Sequence, residues 1–138
     1  LEKEPDWSVV GAEFWSWVFR HSVPPHPTVL VGHNIDQFDM PFILSESARA
    51  REHMPEADRD ILVMDTLLMS RKMFPKNVLA SKKQCSVHEH LFSEQPDHQH
   101  TALGDVMALK RIFEHGAFKE FIETDQNAGV VRKYNYKL

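Results

Sequence analysis

Val29-Leu30-Val31-Gly32-His33-Asn34-Ile35-Asp36-Gln37-Phe38-Asp39 and, further along, His100-Thr101-Ala102-Leu103-Gly104-Asp105 are the stretches that decide the fold. Each sets an acidic residue at a junction between elements. The first is a short β-branched apolar run that stops at Gly32. A polar loop follows, then a helix carrying Asp39 in its first turn. The second places His100 just ahead of Asp105 at the start of an amphipathic helix. Two carboxylates and a histidine suit metal-assisted hydrolysis of a phosphodiester. An imidazole with an ordinary pKa of about 6.5 is poised to take a proton from water near neutral pH.

The wording of both stretches resembles the Exo II and Exo III motifs of the DEDDh (DnaQ-like) 3′→5′ exonucleases, in particular the TREX type. That type writes Exo II as H-N-x-x-x-[FY]-D-x-P and Exo III as H-T-A-x-G-D-V. The chain has His33-Asn34, Phe38-Asp39 and Pro41, then His100-Thr101-Ala102 and Gly104-Asp105-Val106. The family's Exo I motif, a strand ending in D-x-E, has no match. Glu123-Thr124-Asp125 has the spacing in reverse order and ends a helix; Glu2-Lys3-Glu4 has no strand before it.

The resemblance implies an α/β, RNase H-like fold that lacks its first strands here, hence a helix-rich chain with a small parallel sheet. It implies two Mg2+ (or Mn2+) in the complete protein, and none or one in this chain. It makes Asp105 a direct metal ligand, Asp39 the acid that supports the second metal through water, and His100 the general base. His33, Asn34 and Phe38 then border the 3′-terminal nucleotide. Each residue also has a plainer role open to it. Asp39 can be a helix cap, His100 a solvated loop histidine, and Asp105 a solvated residue near a helix start.

The rest of the chain alternates helices with short apolar strands, the signature of a layered α/β domain. Asp6 to Arg20 predicts a helix, capped by Asp6 or Ser8, with Trp7, Val10, Phe14, Trp17 and Val18 on its apolar stripe. Trp15 and Phe19 fall off that stripe and imply burial on more than one side. Pro24, Pro25 and Pro27 end the helix. Thr28 to His33 and Ile61 to Met64 predict short buried strands, and Asp39 to Arg51 a helix between them. Asp65-Thr66 can cap a helix to about Met73, with a structural role. Ser86 to Phe92 predicts a short helix. His100 to His115 predicts a strong one, with Ala102, Val106, Leu109, Ile112 and Phe113 on one side and Gly116 as its stop. Phe118 to Thr124 adds a last turn or two before a turn-rich stretch from Asp125 to Gly129. The whole is read as a single exonuclease-like domain over 1–138, with 126–138 as a tail.

Other clusters carry weaker signals. His88, His90, His98 and His100 lack the spacing of a zinc site and read more simply as solvated loop histidines. Arg71, Lys72, Lys76, Lys82 and Lys83 form a basic stretch able to touch phosphates. Arg132-Lys133-Tyr134-Asn135-Tyr136-Lys137 mixes cations with aromatics, as single-strand binders do.

The 138 residues suit one domain, and 42% hydrophobic with 10% aromatic residues is ordinary for a soluble protein. A net charge of −4 argues against broad electrostatic binding of duplex but not against gripping a few nucleotides. Cys85 is alone, so no internal disulfide forms. The polar amino end, Leu1-Glu2-Lys3-Glu4, is no signal peptide, and the missing initial Met fits an excised piece. The expected location is intracellular, cytoplasm or nucleus, with no membrane span.

The expected function is metal-dependent removal of nucleotides from 3′ ends of nucleic acid, single-stranded DNA before RNA, with the isolated chain inactive for lack of Exo I. The alternative is a non-catalytic exonuclease-like module that binds protein or nucleic acid. Two short strands leave unpaired edges, so a homodimer or a partner is expected over the face of the missing strands.

Overall fold

The structure, a computed structural model, describes residues 4–124 and 130–137. In chain order the elements are α1 (Trp7–Arg20), β1 (Thr28–Gly32), a π-helical turn (Ile35–Asp39), α2 (Met40–Arg49), a 3-10 turn (Arg51–His53) and β2 (Asp58–Asp65). Then come α3 (Thr66–Met73), α4 (Gln84–Phe92), α5 (Ala102–Phe113), α6 (Gly116–Thr124) and β3 (Val131–Lys137). They divide into two compact units, the first made of residues 4–30, 35–64 and 132–137, the second of 31–34, 65–124 and 130–131. No described helix is long and apolar enough to cross a membrane.

The first unit holds most of a mixed sheet in the order β1-β2-β3. The helical crossover α2 makes β1 and β2 parallel. The third strand runs the other way, since Lys133 pairs with Asp60 and Lys137 with Asp58. The sequence reading took 126–138 as a tail, yet 131–137 is this strand. Its tyrosines explain why. Tyr136 is buried against Trp15, ring centroids 4.6 Å apart, and its hydroxyl donates to the Pro55 carbonyl at 2.7 Å. Burying a side chain of that size stabilises by roughly 2 kcal/mol, more than the surface ion pairs beside it. The parts of the stretch that fall at 125–129 lie outside the described residues. So do Glu2, Lys3 and Asp125 of the two Exo I substitutes.

Helix α1 starts where Asp6 accepts a hydrogen bond from the Ser8 amide at 2.9 Å. Its buried residues are Gly11, Trp15 and Val18; of the predicted stripe only Val18 is fully buried, and Trp17 stands 54% exposed. The phase moves because Trp15 has the better partners, Phe14, Phe19 and Tyr136 around its ring and Ser47 on its indole nitrogen. Val29 of β1 is exposed as well, because β1 is an edge strand among the described residues.

The second unit packs α3 to α6 around Met69, Val87, Ile112 and Phe118. Helix α5 buries Ala108 and Ile112, and Val106 is 58% exposed. The turn of the buried stripe follows its neighbours, since α5 packs on α4 and α6. Gly116 opens α6 instead of ending α5. Helix α5 closes through Glu114 in ordinary right-handed geometry, and His115 Nδ1 accepts from the Ala117 amide at 3.0 Å. No left-handed residue is needed there.

Ser47 of α2 is buried and its hydroxyl accepts from two indoles, Trp15 at 2.9 Å and Trp7 at 3.1 Å. A Ser47→Ala variant should leave the buried Trp15 N–H without a partner and lose about 1–3 kcal/mol in urea unfolding. Unchanged stability would show that these bonds do not hold α1 on α2.

Candidate active site

Strand β1 ends at Gly32, and the next residues are locked from the start of α3. Asp65 is buried, and its Oδ1 accepts from the Leu67 amide at 2.9 Å as the cap of α3. The same oxygen accepts from the Asn34 amide at 2.8 Å. Asn34 needs that support, because its φ of 68° is left-handed, which costs most residues about 1 kcal/mol and is borne best by Asn.

His33 is pinned at both ring nitrogens. Nε2 donates to the Lys82 carbonyl at 2.7 Å, so Nδ1, 2.8 Å from the Thr66 hydroxyl, accepts from it in the neutral ring. Burial pushes the imidazole below its ordinary value, against weaker upward pulls from the Lys82 hydrogen bond and the Asp65 charge. His33 therefore stays neutral and ties β1, α3 and the loop before α4 together.

Phe38 and Asp39 belong to the first unit. They close the π-helical turn that follows Asn34, a geometry frequent at functional sites. Phe38 is 70% exposed. Asp39 occupies the cap position of α2 without making a side-chain capping bond, so the plain capping role does not account for it.

His100 and Asp105 meet at the start of α5. Thr101 is the cap: its Oγ1 accepts from the Gly104 amide at 3.0 Å and donates to the His98 carbonyl at 2.7 Å. Asp105 Oδ1 accepts from the His100 amide at 3.2 Å. That bond holds His100 at a left-handed φ of 67°, with its ring at the surface. Glycine is required at 104, because a Cβ there would lie 2.1 Å from the His98 carbonyl oxygen.

These residues edge an open cleft of about 280 Å³, whose lining includes His33, Lys83, Gln84, Cys85, His100 and Asp105. Gln84 reaches across it to the Asp105 carbonyl at 2.8 Å. The loop that carries His100 is itself fixed from behind. Arg111 pairs with Glu94 at 2.6 Å, holding that carboxyl below its ordinary range, and stacks 3.9 Å over Phe92. His88, read from the sequence as solvated, is buried there and donates from Nδ1 to the Glu94 carbonyl at 3.0 Å.

The family profile described as exonuclease (RNase T) matches residues 26–113, more than half of the 138. The chain belongs to the exonuclease family. It is also 29% identical over 109 residues to the Three prime repair exonuclease 2 of Mus musculus, over 74% of this chain and 45% of the mouse protein. It thus spans less than half the length of that curated relative.

Exonucleases of this family generally use divalent metal ions. Hard cations want several oxygen ligands. Among the described residues no group of three or more His, Cys, Asp or Glu side chains converges, for zinc or for magnesium. The donor set of the described residues therefore does not fit a two-metal centre by itself.

Sequence reasoning missed Gln84 and Cys85 as cleft residues and Asp36 as a partner of β3. Lys83 had a signal in the basic stretch; Gln84 and Cys85 had none. In the unfolded chain His33 takes up a proton near pH 6.5, and in the folded chain only at lower pH. Its contribution to stability is therefore present above about pH 6.5 and lost as pH falls toward the folded value. Unfolding measured from pH 7 to 5 should show a loss of stability that is smaller in His33→Gln; equal slopes would refute the linkage. Gly104→Ala should destabilise by about 1–3 kcal/mol through overpacking and shift the His100 ring resonances in NMR spectra. Unmoved resonances would show that the turn tolerates a side chain at 104.

Proposed function

We propose that this exonuclease-family chain carries the Exo II and Exo III part of a metal-dependent 3′→5′ exonuclease acting on single-stranded or frayed DNA ends. The observation that carries the reading is the start of α5, where Asp105 holds the His100 backbone and both side chains edge one cleft. His100 is exposed and sits in a conformation that few histidines adopt without a reason.

In this reading His100 takes the proton from the attacking water, within reach of a phosphodiester in the cleft. Asp105 and, separately, Asp39 are the acids that would hold divalent metal ions, and such ions would supply the charge neutralisation of phosphoryl displacement. Phe38, an exposed aromatic, offers a stacking surface to a terminal base, with His33 and Asn34 shaping the turn before it. Lys83 lines the cleft and can meet a phosphate.

A second reading, a non-catalytic exonuclease-like module, draws on the lack of a converging three-ligand group among the described residues. The two separate by assay. The 138-residue chain, given 3′-labelled single-stranded DNA with magnesium or manganese, should release no nucleotides. The full-length protein should release them. There, His100→Ala and Asp105→Asn should each lower turnover by at least about a hundredfold, the usual scale for a general base, with the circular dichroism spectrum unchanged. Near-normal turnover in either variant would overturn its assigned role, and an inactive full-length protein would favour the binding module.

A further inference from the structure

We propose that Tyr134, together with Arg132, is a positioning residue that holds the π-helical turn in the shape that presents Phe38 and Asp39. The inference rests on the nucleotide-binding role given to that turn above.

The geometry is local to the first unit. Asp36 lies inside the turn, and its side chain is only 16% exposed. Its Oδ1 accepts from the Tyr134 hydroxyl at 2.6 Å, and its Oδ2 faces the Arg132 Nε at 3.6 Å. The same hydroxyl lies 3.4 Å from the Asp36 carbonyl. A hydrogen bond to a shielded carboxylate is stronger than a neutral one at the surface.

The Tyr134 ring does a second job. It packs on the cluster of Ile35, Met40 and Val63, which includes the residue that opens the turn and the one that follows Asp39. A π-helical turn is a rare conformation with no propensity of its own to sustain it. Strand β3 thus grips it through that apolar cluster and through the Asp36 carboxylate. Phe38 remains at the surface, two residues beyond the gripped Asp36.

The test compares the 138-residue chain with Tyr134→Phe, Asp36→Asn and Tyr136→Phe. Tyr136→Phe removes a hydroxyl from the same strand, but one that donates to Pro55, away from the turn. Hydrogen exchange across residues 35–40 should quicken about fivefold in Tyr134→Phe and Asp36→Asn, the effect of one hydrogen bond on a local opening, and stay unchanged in Tyr136→Phe. Affinity for a single-stranded DNA ending in 3′ 2-aminopurine, followed by quenching, should weaken about fivefold in the same two variants only. Exchange at 35–40 equal to wild type in Tyr134→Phe, or equal losses in Tyr136→Phe, would overturn the proposal. A wild-type chain that does not bind the oligonucleotide would count against the functional reading, and the exchange comparison would still decide whether Tyr134 holds the turn.

Discussion

A single buried carboxylate, Asp65, sets the geometry on which the Exo II residues depend. One of its oxygens accepts from both the Leu67 and Asn34 amides, so the start of α3 and the end of β1 share one anchor. A charge removed from water is tolerated only when hydrogen bonds replace its solvation, and the two amides with the helix dipole do this. Thr66 extends the anchor, its hydroxyl 2.8 Å from His33 Nδ1 and 3.3 Å from the Gly32 carbonyl. Without that joint, Asn34 would lose the bond that supports its left-handed backbone and His33 one of the two partners that fix its ring.

The start of α5 solves a similar problem by different means. There the strained residue is His100 itself, and the support comes from Asp105, Thr101 and the absence of a side chain at Gly104. Asp105, the acid proposed above for metal chemistry, is thus also the acid that shapes the histidine's backbone. The local geometry accounts for His, Thr, Gly and Asp occurring together over so few residues. The Thr caps, the Gly admits the His98 carbonyl, and the Asp restrains the turn.

Much of this was legible from local spacing. The caps at Asp6 and Asp65, the order of helices and strands, and the motif residues His33, Asn34, Phe38, Asp39, His100 and Asp105 all rest on neighbours a few positions apart. Less legible was whatever a distant partner decides. The α1 stripe predicted from Trp7, Val10 and Trp17 yielded to one centred on Trp15, because Tyr136 and Ser47 wait for that ring. Val106 of α5 fits the apolar period and yet faces solvent, as α4 and α6 occupy the adjacent side. His88 looked like part of a polar loop and is buried under Arg111 and Phe92.

By itself the sequence determined the family, the succession of elements as far as α6 and the identity of the residues at its two motifs. These depend on interactions within a turn or two of chain, where residue type and spacing suffice. Only the tertiary structure decided that 131–137 is a strand, which side of α1 is buried, that Asp36 is held by β3, and that His33 is locked at both nitrogens. Each of those depends on residues tens of positions apart. A short amphipathic stretch such as Val131–Lys137 has no fate of its own until Trp15, Asp36 and Asp60 are brought to it.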